Sequence, residues 1–370
     1  MAVTVDYAFA MNLNNEDAWT GCALREQEHR RLLWWTIYFL DRRIALLLKR
    51  PLLIRDADFI VAGFTDQSRR TFLSRTSLHL TTGSSDEQRP WKPPLPPTQD
   101  WYDYLEFNIR WSKIATRIWD AFFSLRGSRS IEVEQVELID ALLVKLQTGL
   151  PPRLRWDVKN LPGLLRQGTE DKHFRLQIVV FERINILHLV VRSRFLQVQH
   201  QLTTQQSKSQ MVETAQDVAA KTIDSICQYL AVRDGIRSWS TYWSLSLVET
   251  CNWVTPILTA QTVPPGASYM VTMSVRRALE CLEGMKKMKV AATEMAMERL
   301  TSVLNELAGP GSVAWTTALS LPEVCPEFWR DHRYTDDLGV GGDSWMLEQG
   351  LFDVDWEGGC SPSGFPNVTL

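Results

Sequence analysis

Residues 28–51 read EHRRLLWWTIYFLDRRIALLLKRP, and how this stretch is read decides the fold. From Leu32 to Leu40 every side chain is apolar or aromatic except Thr36 and the Tyr38 hydroxyl, yet Arg30 and Arg31 precede the run and Asp41, Arg42 and Arg43 interrupt it. Leu33, Ile37, Leu40, Ile44 and Leu47 follow alternating four- and three-residue spacing, which places them on one helical face. Leu32, Trp35, Phe39 and Leu46 form a second apolar stripe beside it. Most of the circumference is therefore apolar, and the helix is expected inside a bundle. Glu26, four residues before Arg30, supports its start. Lys49 and Arg50 face the negative end of its dipole, and Pro51 bars continuation.

The charges in its centre pose the physical problem. At helical spacings of three and four, Asp41 meets only Ile37, Tyr38, Ile44 and Ala45, while Arg42 and Arg43 meet only apolar or aromatic residues. One buried charge left unpaired costs about 3 to 5 kcal/mol, so any of the three that is buried must be met by another segment. Asp56 and Asp58 in the strand-like connector that follows, and backbone groups at neighbouring helix ends, are the candidates. The competing expectation is that Arg42 and Arg43 extend to solvent along their stems.

Working outward, helical periodicity dominates at 101–125, 131–148, 171–196, 211–232, 238–260 with a bend at Pro256, 269–289 and 293–307, and no alternating run bounded by hairpin turns competes with it. The predicted fold class is all-α, a multi-helix bundle or array without a fixed-period repeat. A proline-rich connector interrupts it at 84–100, and the acidic C-terminal part, 311–370, is expected to be mostly irregular. The division is thus 1–310 for the helical body and 311–370 for the tail.

Composition narrows the function classes. The chain has 370 residues, 45% hydrophobic, with a formal net charge of −3, so it carries no polycationic character suited to nucleic acid or an anionic membrane. From 334 to 370 there is no Lys or Arg against seven acids, leaving the remainder at about +4. The six cysteines (22, 227, 251, 281, 325 and 360) include no Cys-x-x-Cys pair, so a compact zinc site or redox motif is not expected. The N-terminus lacks the basic region of a signal peptide, and the 32–40 run falls well short of the roughly 20 residues of a membrane span. The expectation is a soluble intracellular protein with no membrane contact.

No Gly-x-Ser-x-Gly, His-Glu-x-x-His, phosphate loop or dinucleotide fingerprint occurs, so neither catalytic residues nor metal ligands are assigned and no enzyme is expected. GVGGD at 339–343 follows no strand. His188, on the stripe Phe174, Ile178, Phe181, Ile184, His188, Val191, Phe195, reads as a satisfied core residue. In the tail, Trp345, Leu351, Phe352 and Trp356 alternate with Asp343, Glu348, Asp353, Asp355 and Glu357, a pattern that keeps apolar side chains solvated and available to a coactivator.

The 28–58 stretch resembles the fungal-specific transcription factor domain, the middle homology region of fungal zinc-cluster regulators. Arg30, Arg31, Trp34, Trp35, Asp41, Arg42, Arg50, Pro51, Asp56 and Asp58 carry the likeness, with Glu28, Leu33 and Leu40. Weaker likenesses are residues 1–13 to the helix that precedes this one, LPPRLRW (150–156) to a proline-containing loop, ILHLVVRSRFL (186–196) to a later helix, and Ala215, Ala219 and Ala220 followed by 239–254 to a small-residue helix pair. The resemblance spans roughly 1–310 and implies a nuclear transcription regulator controlling metabolic or biosynthetic genes, with partners in the transcription machinery. The family's zinc and its DNA contacts belong to an N-terminal six-cysteine cluster that this sequence does not contain. No cofactor and no DNA-binding residue are therefore expected here, the chain is expected to begin after the first helices of the usual domain, and DNA is reached only indirectly. Homodimerisation and a small-molecule effector stay open. The alternative is a helical module without a transcriptional role that binds a small apolar ligand among its fifteen tryptophans or another protein.

Overall fold

The computed structural model describes residues 1–64, 99–124, 131–156, 171–198, 205–232, 237–259, 269–286 and 291–308. These form nine α-helices and no strand: α1 (Ala2–Ala10), α2 (Leu24–Leu48), α3 (Gln99–Phe122), α4 (Val133–Thr148), α5 (Asp171–Val198), α6 (Gln205–Val232), α7 (Arg237–Leu258), α8 (Tyr269–Met285) and α9 (Ala291–Ala308). Short 3-10 turns at Glu16–Trp19, Asp56–Asp58 and Pro152–Leu154 join them. The expected all-α architecture is thus the one observed. The observed helices differ from the expected segments by a few residues at most ends, the largest change being α6, which starts at Gln205 rather than 211. Residues 84–98 of the proline-rich connector and all of 311–370 lie outside the described residues.

Helix α5 is the axis of the assembly. From Ile178 to Phe195 nearly every side chain is buried, on all sides of the helix, because α3, α4, α6, α7 and the Pro152–Leu154 turn all pack on it. A helix enclosed on every side needs apolar residues on every side, and ten of the seventeen residues of VVFERINILHLVVRSRF supply them. Its polar exceptions are each engaged: Asn185 donates to Thr222 (2.8 Å), and Arg194 donates to the Phe122 carbonyl at the end of α3 (3.1 Å). Beyond α5, α6 packs on α8 and α7 on α9, extending one continuous core from Phe39 to Val303.

A smaller core lies under α1. Val5, Ala8, Leu13, Trp19, Trp34, Trp35, Ile37, Tyr38, Ile54, Val61 and Ile109 close it between α1, α2, α3 and the segment after α2. That segment was expected to be strand-like. It forms a single parallel bridge between Asn15 and Ile60, with Ile60 N–H donating to the Asn14 carbonyl and Glu16 N–H to that of Ile60. Pro51 and the Asp56–Asp58 turn prevent a longer ladder.

Helix α2 lies inside the assembly as expected, and its two apolar stripes are not equally buried. Leu33, Leu40, Ile44 and Leu47 are only half-buried, whereas Leu32, Trp34, Trp35, Tyr38, Phe39, Asp41, Arg42, Ala45 and Leu46 are buried. The aliphatic stripe lost to an arc that includes charged residues because those charges are satisfied inside the protein. The helix ends as expected. Lys49 takes a left-handed conformation (φ 52°), Arg50 N–H reaches back to the Ala45 carbonyl at 3.0 Å, and Pro51 follows.

The core assignment has a direct check. Leu187 is fully enclosed on α5 and Leu138 is 60% exposed on α4. Leu187→Ala is expected to cost about 2 to 5 kcal/mol by denaturant unfolding, and Leu138→Ala less than about 0.5 kcal/mol. Equal effects would contradict the central position of α5.

Candidate functional site

The site is built on the three consecutive charges of α2. Arg42 is wholly buried. Its Nε donates to Thr116 Oγ1 on α3 (3.1 Å), Nη1 to Asp41 Oδ2 (2.8 Å), and Nη2 to both the Ile54 carbonyl and Asp56 Oδ1 (2.9 Å each). The guanidinium also lies 3.5 Å from the Tyr38 ring centroid, a cation–π stack strengthened by the dry surroundings. Asp41 accepts further from the backbone N–H groups of Leu53 and Ile54, both at 3.1 Å. Burial raises the Asp41 pKa, opposed by those two backbone donors and by Arg42. Tyr38 donates to Asp56 (2.7 Å), and burial pushes its hydroxyl up to about 12.

Arg43 points elsewhere. It forms a two-pronged ion pair with Glu249 of α7, Nη1 to Oε1 at 2.6 Å and Nη2 to Oε2, and lies 3.8 Å from Glu182 of α5. Glu182 accepts from Tyr242 of α7 at 2.9 Å, and burial raises its pKa against the pull of Arg43. Next to it, Arg183 donates to Asn108 (2.7 Å) and sits 4.6 Å from the Phe39 ring centroid. Four helices thus converge on one desolvated group of charges, with Arg43 facing Glu182 and Glu249 and Arg183 beside Glu182.

The sequence-predicted residues separate accordingly. Trp34, Trp35, Asp41, Arg42 and Asp56 come together, with Trp35 Nε1 bonded to the Ala62 carbonyl at 2.9 Å. Arg31, also buried, bridges Glu28 and Glu16. Arg30 pairs with Glu26 at 2.9 Å on the half-exposed side. Asp58 does not reach α2 and faces Arg55 at 3.9 Å, while Arg50 and Pro51 are exposed. Arg42 and Arg43 do not run to solvent. Asp41 does find a partner on its own helix, at the adjacent position, where a search at spacings of three and four does not look. Glu182 and Glu249, the partners of Arg43, were missed; the available signal was a lone carboxylate inside each of the mainly apolar helical segments VVFERINIL and SLVETCNW. The tail residues Trp345, Leu351, Phe352 and Trp356 lie outside the described residues.

Two satellites complete the arrangement. His188 is engaged as expected, its Nδ1 2.9 Å from Asp140 Oδ1, and Arg192 Nη2 donates to Asp140 Oδ2 at 2.7 Å. Although burial alone would raise it, the Asp140 pKa is held low by His188 and Arg192. In the 150–156 loop, Arg153 pairs with Asp103 of α3, and Trp156 Nε1 donates to Ser225 of α6 at 2.9 Å. Among the described residues no group of three or more His, Cys, Asp or Glu side chains is arranged to hold a metal ion, and no helix is long and apolar enough to cross a membrane.

Such an assembly defines a helical domain whose distinctive residues are spent on holding helices together. Residues 1–142 match the family model of the fungal specific transcription factor domain, so this part of the chain is similar to that family. The match ends inside α4, although the core it begins continues through α9. No curated protein and no solved structure matches the chain.

Asp41→Ala leaves Arg42 enclosed with fewer acceptors and frees the Leu53 and Ile54 N–H groups, so a loss of about 3 to 5 kcal/mol is expected, read as a lowered denaturation midpoint; an unchanged midpoint would remove the network's role. Asp140 gives a pH test. Its folded pKa lies below the unfolded value, so its contribution is present above the ordinary carboxylate range and fades as pH falls through the folded pKa. The stability gap between wild type and Asp140→Asn is therefore expected to be full near neutrality and to narrow below about pH 4, measured by urea unfolding across pH.

Proposed function

We propose that the chain is the regulatory body of a fungal transcription regulator, with α1 to α9 forming one effector domain and residues 311–370 an acidic tail that recruits the transcription machinery. The reading places it in the nucleus, acting on metabolic or biosynthetic genes, with no enzymatic activity and no cofactor of its own. The observation that carries it is the convergence of α2, α3, α5 and α7 on the Arg42 and Arg43 network. Compared with apolar packing, buried ion pairs add little net stability, but they fix which surfaces can meet. A body held in one arrangement by such contacts has alternatives separated by a discrete rearrangement, and a partner or effector that prefers one arrangement shifts the balance. The tail complements this. Its Trp345, Leu351, Phe352 and Trp356 are spaced among carboxylates, as suits a segment that folds on a coactivator surface.

Fusions to a heterologous DNA-binding module with a reporter gene test the proposal. Residues 334–370 alone are expected to raise output several-fold. The full chain is expected to give less, and Arg43→Ala to move it toward the level of the tail. A tail and a full chain that both leave the reporter at background would refute the regulatory reading.

A further inference from the structure

Helices α6 and α8 meet through two matched pairs of side chains. Arg277 of α8 donates to Asp224 of α6 at 2.8 Å. Three residues on along α6 and four along α8, the Cys227 and Cys281 thiols share a hydrogen bond, and Cys281 Sγ lies 3.8 Å from the Cys227 carbonyl. Since both pairs advance by about one turn in the same sense, the two helices run parallel here and keep register. Cys227 is buried, whereas Cys281 is half-buried, so Cys281 is the more exposed of the two.

We propose that Cys227 and Cys281 form an oxidisable dithiol, a modification site at which a hydroperoxide converts the α6–α8 contact into a covalent disulfide link. Cys281 is the attacking group. Its sulfur attacks the peroxide O–O bond, which breaks. The departing alkoxide, or hydroxide when the oxidant is hydrogen peroxide, takes the thiol proton and leaves as an alcohol or water, and Cys281 becomes a sulfenic acid. The Cys227 sulfur then attacks that sulfur, the S–O bond breaks, and hydroxide leaves as water with the Cys227 proton. Two thiols are oxidised and one peroxide is reduced, so the step balances without another reagent.

The surroundings favour this order. The hydrogen bond from Cys227 lowers the Cys281 pKa, against burial and Glu280, with help from Arg277 one turn earlier on the same helix. The same interaction, with burial, raises that of Cys227. A partly exposed sulfur whose pKa is lowered, next to a resolving thiol, is the arrangement that stops oxidation at the reversible disulfide. Cys251 differs: it is wholly enclosed in α7, and burial pushes its thiol up to about 12.

The test treats the full-length reduced chain with hydrogen peroxide, alkylates the remaining thiols and maps peptides by mass spectrometry. A linked 227–281 peptide is expected, with loss of two of the six thiols and recovery on dithiothreitol. Cys227→Ser is expected to leave Cys281 as a sulfenic acid captured by dimedone, and Cys281→Ser to leave Cys227 alkylatable. Wild type alone decides the matter if a variant fails to fold. Cys281 over-oxidised beside a free Cys227, or both thiols intact after Cys22 has reacted, would overturn the proposal.

Discussion

An enclosed guanidinium with five N–H donors constrains everything around it. Arg42 cannot be buried until its donors are met, and the acceptors come from Asp41 on the same helix, Ile54 and Asp56 in the returning connector, and Thr116 on α3. Planar geometry makes this demand specific, because an acceptor outside the fork leaves a donor bare. Placing the connector therefore follows from burying the arginine. Asp41 acts in both directions, neutralising Arg42 and accepting from the N–H groups of Leu53 and Ile54, which no helix or strand would otherwise satisfy.

One residue further along, the helix turns by about 100°, and Arg43 consequently reaches a different part of the protein. Its partners Glu249 and Glu182 stand on α7 and α5, 206 positions away in the first case. The three central charges of α2 thus connect the N-terminal core with the larger one built around α5. Deep in an apolar surrounding, neither Glu182 nor Arg183 would be tolerated alone. Tyr242 donates to Glu182, and Asn108 and the faces of Phe39 and Tyr104 engage Arg183.

The α6–α8 contact follows a different chemistry. There the contact is a pair of soft thiols at a partly buried seam, beside an Asp224–Arg277 pair that water can reach. Desolvation makes the α2 network costly to disturb, while the proposed dithiol sits where burial is only partial.

Periodicity was enough to determine the helices, since an apolar repeat of three and four residues has few other ways to be buried, and the likeness carried by residues 28–58 was already legible in Trp34, Trp35, Asp41 and Arg42. It also sufficed to show that charges set into an apolar helix need partners. The partners themselves were decided only by tertiary structure. Choosing Asp56 over Asp58, turning the aromatic arc of α2 inward in place of its aliphatic stripe, and bringing Glu182 and Glu249 to Arg43 all depend on how helices far apart in sequence pack. A side chain's neighbours along the chain are set by local geometry, whereas those across the core are fixed only when every buried group must be satisfied at once.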